Sequence, residues 1–183
     1  MEGIIINSLD FPVLTVITFL PLAGALLILL MRNNVLIKWI ALLTTVATFI
    51  VSLPIYTQFD KTTYKMQFVE VHPWIPAWNL NYTVGVDGIS VLFIILVTIL
   101  STLCVSASWK AIQEKTKEFF ISLLIMETAM IGVFVSLNIF LFYLFWELTL
   151  IPMFLLIGIW GGSNRIYATI KFVLFTLAGS VLM

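Results

Sequence analysis

Ile139-Phe-Leu-Phe-Tyr-Leu-Phe-Trp-Glu-Leu-Thr-Leu-Ile-Pro-Met-Phe-Leu-Leu-Ile-Gly-Ile-Trp160 is twenty-two residues long and carries one charge, Glu147. A helix crossing a bilayer needs about twenty mostly apolar residues, so the stretch predicts a membrane-spanning helix. A carboxylate near the middle of such a helix costs about 2.5–3.5 kcal/mol on insertion scales, and acids placed there usually face a bundle interior or a water-filled cavity. Pro152, five residues after Glu147, cannot donate to the carbonyl of Leu148 and crowds it. The freed carbonyl lies beside the acid, where it can hold water or a partner helix. Proline is also simply commoner in membrane helices, and both readings stand.

The rest of the chain has the same character. Of its 183 residues 62% are hydrophobic and 10% are charged, against about half and about a quarter in a soluble domain. There is too little polar surface to cover a water-soluble core, so lipid is the solvent for most of the chain. Net charge is zero and the nine basic residues are scattered, so no nucleic-acid partner is implied. Cys104 and His72 are the only cysteine and histidine, too few for a metal cage, an iron–sulfur site or a disulfide. Cys104, inside an apolar run, reads as a small hydrophobe. Phosphate-binding glycine loops are absent, so redox or nucleotide chemistry belongs to partners. The acidic start, with Glu2 and Asp10 and no Lys or Arg, does not suit a cleavable signal peptide.

Working outward, five stretches are long and apolar enough to span: about 11–31, 35–55, 89–109, 119–137 and 139–160. A sixth, 166–183, is still apolar at Met183, which predicts a fragment of a longer protein. The predicted fold is all-α, a polytopic transmembrane helix bundle read as one transmembrane domain over 1–183. Seven basic residues (Arg32, Lys38, Lys110, Lys115, Lys117, Arg165 and Lys171) fall at the connections of one side, against Lys61 and Lys65 on the other. By the positive-inside rule the amino terminus is outside and the three basic connections face cytoplasm or matrix. The 56–87 loop is the only sizeable extramembrane piece. Its alternating stretches at Lys65–His72 and Leu80–Val84 predict a short hairpin on the outer surface. Pro73 and Pro76 interrupt the run between them, and Trp74 and Trp78 suit the headgroup level.

A second acid, Glu127, sits near the middle of the fourth span in Leu123-Leu-Ile-Met-Glu-Thr-Ala-Met-Ile131. Adjacent spans run antiparallel, so Glu127 and Glu147 are expected at similar depth. Desolvation favours the neutral form of a carboxyl and a nearby cation favours the ionised form. At an effective dielectric near 20, a unit charge about 4 Å away contributes about 4 kcal/mol. A cation moving toward and away from such an acid is the elementary step of a proton pump or antiporter. The structural alternative is a protonated glutamic acid bonded to a neighbouring backbone. Lys171, about one turn into the sixth span, is a candidate cation, although its stem can equally snorkel to the surface. Glu147 sits deeper, which argues against a direct pair. Gly158 and Gly162 have the helix-packing GxxxG spacing, but Gly161-Gly-Ser-Asn164 reads as a turn.

The block Phe142-Tyr-Leu-Phe-Trp-Glu-Leu-Thr-Leu-Ile-Pro-Met-Phe-Leu-Leu-Ile-Gly-Ile-Trp-Gly-Gly162 closely resembles the fifth-helix region of the subunit M (chain 4) family of NADH:quinone oxidoreductase, respiratory complex I. Tyr167-Ala-Thr-Ile-Lys-Phe172 with Thr176-Leu-Ala-Gly-Ser180 is similar to its sixth helix, Gly85-Val-Asp-Gly-Ile-Ser90 to the start of its third, and Glu127 with Met130-Ile-Gly-Val133 to its fourth. The resemblance runs from about Val84 onward. It implies an antiporter-like complex I subunit fold with the amino terminus outside, the orientation that the charges give separately. It also implies that Glu147 matches the family's essential fifth-helix glutamate, Glu127 its fourth-helix glutamate and Lys171 a sixth-helix lysine. The family's central lysines would follow Met183.

The expected function is therefore a proton-translocating membrane-arm subunit, working beside L-type and N-type antiporter-like subunits in a bacterial plasma membrane or a mitochondrial inner membrane. It would carry no cofactor itself, with NADH, FMN, iron–sulfur clusters and quinone handled by partner subunits. Glu147 would exchange a proton as a lysine on a later helix moves, with Glu127 a second station or a contact to a neighbouring subunit. The alternatives are a component of a multi-subunit cation/proton antiporter or of a membrane-bound hydrogenase, which gene neighbourhood would separate, and a scaffold without transport.

Overall fold

The computed structural model describes residues 11–78 and 80–182. Among the described residues, six helices are long and apolar enough to cross a membrane: α1 (Val13–Leu30), α2 (Asn34–Thr57), α3 (Gly88–Ala111), α4 (Thr116–Val135), α5 (Ile139–Trp160) and α6 (Arg165–Leu182). A two-stranded antiparallel hairpin, β1 (Gln67–Ile75) and β2 (Leu80–Val86), lies between α2 and α3, closed by a short 3-10 turn over Pro76–Trp78. This is the helix bundle with a small hairpin that composition and periodicity predict. Glu2 and Asp10, used in the signal-peptide reading, lie outside the described residues, as does Met183.

Helices α2, α3 and α5 start where the preceding residue's side chain satisfies a free amide. Asn33 accepts the N–H of Val35 at 2.9 Å, Asp87 that of Ser90 at 2.7 Å and Asn138 that of Phe140 at 2.9 Å. The Asn138 cap separates α4 from α5 within a very short connection and turns the chain back on itself.

One end of the bundle gathers the three basic connections. Lys38 Nζ donates to the carbonyl of Trp109 at 2.7 Å, and Lys117 Nζ to those of Leu29 and Met31 at 2.6 and 3.1 Å. Trp160 Nε1 donates to the carbonyl of Glu114 at 3.0 Å. Each bond satisfies a carbonyl at or just beyond a helix carboxyl end, where a cation is also favoured by the helix dipole.

The hairpin covers the opposite end. Its β1 strand runs on through Pro73, which the sequence reading places at an interruption. Both strands of a two-stranded ribbon are edges, so the missing N–H breaks no interior ladder. A register shift between Gln67 and Glu70 accompanies Phe68 at φ 53°. This bulge lets Gln67, Phe68 and Val69 be buried in succession, against the usual alternation. It also aims Glu70 at α1, whose own preceding residue, Pro12, offers no side-chain cap. The Glu70 carboxylate accepts the N–H groups of Leu14 at 2.8 Å and Thr15 at 3.1 Å, and the hydroxyl of Thr15. That hydroxyl is also bonded to Tyr82 at 3.2 Å.

The core is divided by depth. The hairpin-side half is a cluster including Leu14, Ile17, Val84, Ile94, Ile131 and Phe145. The basic-side half is a second cluster including Ala25, Ile28, Ala41, Phe120 and Leu124. Between them lies a belt of buried polar side chains: Thr18 on α1, Thr45 and Thr48 on α2, Thr98 on α3, Glu127 and Thr128 on α4. Thr18, Thr48 and Thr98 bond carbonyls four residues back in their own helices, which is how hydroxyls are accommodated in apolar surroundings.

Candidate functional site

Helix α4 is the centre of the bundle, packed most extensively on α1 and α5. Glu127 is the twelfth of its twenty residues and is 1% exposed. Neither carboxyl oxygen has a hydrogen-bond partner. The next residue, Thr128, is equally buried and its hydroxyl also has none. The backbone-bonded glutamic acid weighed as a structural alternative is therefore not the arrangement here. A buried polar group without a partner costs about 1–3 kcal/mol, and three such atoms on consecutive residues are a concentrated cost of the kind that functional sites carry.

Glu147 lies on α5, half-buried, with one carboxyl oxygen buried and without a partner. Glu127 is eight residues from the hairpin-side end of α4, and Glu147 is eight residues from the hairpin-side end of α5. At 1.5 Å per residue both acids are about 12 Å in from those ends. The two helices are antiparallel neighbours, so the common depth expected from the sequence is present. Gly132 makes the approach of α4 and α5 possible, because a Cβ there would run into the ring of Phe145.

Lys171 is elsewhere. It is six residues into α6 from the basic end, about 9 Å, whereas Glu147 is thirteen residues from that end, about 20 Å. The buried residues of α6 are Thr169 and Ser180. Lys171, two positions after Thr169, is turned about 200° from it and is exposed. Its ammonium lies 5.8 Å from the Tyr167 ring centroid and 6.0 Å from that of Phe175, within cation–π range. The structure brings Glu127 and Glu147 to one level and leaves Lys171 on the outer face of α6. Cys104 is a free thiol on an exposed face of α3. Gly158 faces Thr169 across the α5–α6 contact, while the space beside Gly162 is open.

Sequence reasoning missed Thr128 and the Glu70–Thr15–Tyr82 group. Thr128 had one signal, its position next to a mid-span acid. Glu70 had none, since only the bulge at Phe68 directs it to α1. Tyr82 is partly buried, and loss of water together with the Glu70 charge raises its phenol pKa against the opposing Thr15 hydrogen bond.

Among the described residues, no cluster of three His, Cys, Asp or Glu side chains is placed to hold a metal ion. Residues 136–183 match the family model described as "NADH:quinone oxidoreductase/Mrp antiporter, TM". The chain is 50% identical over 179 residues to NADH-quinone oxidoreductase subunit M of Rhodobacter capsulatus, covering 93% of this chain and 34% of that protein. It is 43% identical over 166 residues to NADH-ubiquinone oxidoreductase chain 4 of Arabidopsis thaliana, covering 89% and 34%. Among solved structures, respiratory complex I from Thermus thermophilus with bound NADH contains a chain that superposes with a TM-score of 0.75 at 26% identity, over 91% of this chain and 33% of that one. A chain of the archaeal membrane-bound sulfane sulfur reductase shares the fold at a TM-score of 0.74 and 19% identity, over 92% and 26%. The chain thus spans about a third of the length of the relatives it matches.

Proposed function

We propose that this chain, a homologue of NADH-quinone oxidoreductase subunit M over about a third of that subunit's length, forms part of a proton-translocating membrane-arm subunit of respiratory complex I. The observation that carries this reading is the pair Glu127 and Glu147, two acids at one depth in adjacent antiparallel helices with buried oxygens that lack partners. Unpartnered carboxyls in a low-dielectric setting respond strongly to any charge that approaches. A membrane carboxyl already bonded to fixed donors would not.

In this reading Glu147 is the exchanging group, taking and releasing a proton as a cation outside these residues approaches and withdraws. Glu127 is a second station one helix away. Lys171 would act at the basic end of the path, since meeting Glu147 would require α6 to turn through about half a revolution and the side chain to rise about 10 Å. NADH, FMN, iron–sulfur and quinone chemistry would belong to partner subunits, and the neighbours in the membrane would be L-type and N-type antiporter-like subunits. With seven basic residues at one end against Lys61 and Lys65 at the other, the basic end would face the cytoplasm or matrix and the hairpin would lie outside. The host membrane would be a bacterial plasma membrane or a mitochondrial inner membrane.

The test is Glu147→Gln in the full-length subunit of the assembled complex. Assembly is expected to be normal and coupled proton translocation to fall at least about tenfold, the scale on which acid–base groups contribute. A variant that assembles and pumps at the original rate would reduce this chain to a scaffold.

A further inference from the structure

A cleft of about 480 Å³ opens between the hairpin, α1, α4 and α5. Its mouth carries His72, Tyr82 and Thr15, and Thr128 contributes to its inner wall. The walls between are almost entirely apolar. By helix position Thr15 is about 3 Å in from the hairpin-side end of α1, Phe19 and Phe145 are about 9 Å in, and Thr128 is about 10 Å in. Aromatic rings line this descent in sequence. His72 stacks on Tyr82 at 6.4 Å, Tyr82 meets Phe19 at 6.4 Å, and Phe19 meets Phe145 at 6.5 Å. The Thr128 hydroxyl, beyond the last pair, is buried without a partner, and so are both oxygens of the adjoining Glu127.

We propose that this cleft is the water route from the hairpin face to Thr128 and Glu127, with the Phe19–Phe145 pair forming its apolar constriction. A water needs about two to four polar partners to reside inside a protein. The mouth supplies them through His72, Tyr82 and Thr15. The inner end supplies them through the Thr128 hydroxyl, which can both accept and donate, and the Glu127 carboxyl. The stretch between supplies none, and apolar constrictions of this kind gate by dewetting. Swinging Phe145 away joins the two polar ends. Gly132 bears directly on that motion, because the Phe145 ring rests on it one turn outward from Thr128. The role of the route in proton exchange rests on the reading of Glu127 as a proton station. The existence of the route does not.

The test is cysteine accessibility in the full-length subunit within its assembled complex, in sealed vesicles of each orientation. Cys104, the only cysteine in these 183 residues, is first replaced by Ser. Thr128→Cys and, as a second reporter on the same cleft, Leu148→Cys are treated with a permanently charged, membrane-impermeant thiol reagent. Adducts are read by mass on the peptide containing each position, with His72→Cys as the mouth control. Labelling from the hairpin face is expected, accelerated roughly tenfold or more by Phe145→Ala as the apolar constriction is removed. If neither reporter reacts from the hairpin face, with or without Phe145→Ala, while His72→Cys does, the route is overturned. If labelling is unchanged by Phe145→Ala, the gate is overturned. Because labelling does not depend on pumping, an inactive Glu147→Gln complex can still show an open cleft, and the converse.

Discussion

Glu70 accepts the backbone N–H of Leu14 at 2.8 Å across fifty-six residues of sequence. A hairpin side chain thus supplies the cap that α1 lacks, and an anion at a helix amino terminus is also favoured by the dipole. Glu70→Ala is expected to destabilise the hairpin end by about 1–2 kcal/mol, the scale of a lost cap. Glu70→Gln keeps an acceptor and should lose less. Limited proteolysis of the 60–80 loop in intact membranes would register the difference. Equal cleavage rates in wild type and Glu70→Ala would remove the latch.

Gly132 and Phe145 should be energetically coupled. A methyl at Gly132 meets the Phe145 ring, and overpacking of this kind costs about 1–3 kcal/mol. Gly132→Ala alone should lower the thermal stability of the assembled subunit. Gly132→Ala with Phe145→Leu should recover much of that loss, because the smaller side chain vacates the space. Additive losses in the double-mutant cycle would show that the two residues do not share this contact.

Asp87 gives a pH dependence with a definite sign. The backbone N–H of Ser90 is the largest influence on its carboxyl and holds the pKa below the ordinary value of 3.8, against a smaller opposing effect of burial. A pKa lowered on folding means that the cap contributes fully above about 3.8 and is lost as pH falls through the folded value. Asp87→Ala is expected to cost about 1 kcal/mol near neutral pH, and Asp87→Asn much less, since Asn caps comparably. The gap between wild type and Asp87→Ala in thermal unfolding should narrow only well below pH 4. A gap that widened on acidification would contradict the sign.

The parts of this fold that a reader of the sequence can obtain are those set by local composition. Ile139–Trp160 announces a spanning helix by its length and apolarity. Glu127 and Glu147 announce themselves because lipid makes acids costly, and antiparallel neighbours bring them to one level. What escapes is set by contacts distant in sequence. Glu70 reads as an ordinary strand acid until Phe68 takes a positive φ and redirects the strand. Lys171 reads equally as a candidate cation or a snorkelling side chain, because only the burial of Thr169 and Ser180 reveals which side of α6 meets α5. The polar belt of Thr18, Thr45, Thr98 and Glu127 comes from four helices, and no single one of them shows it.

Glu127 is enclosed between two apolar clusters, 1% exposed, with both oxygens unpartnered. Glu127→Gln keeps the shape and removes the ability to ionise. It breaks no hydrogen bond to the protein, so a stability change within about 1 kcal/mol is expected. Glu127→Leu removes the unpartnered polar atoms altogether and should stabilise by a similar amount or more, as replacing buried polar groups with apolar ones of similar size often does. If Glu127 is a proton station, both variants should lose coupled proton translocation, the more stable Leu variant included. Stability and pumping would then move in opposite directions at one residue, a result that a packing role cannot produce. Thermal unfolding and proton pumping measured on the same preparations would decide it. Retained pumping in Glu127→Leu would return Glu127 to a structural role and leave Glu147 as the only acid of the pair that exchanges protons.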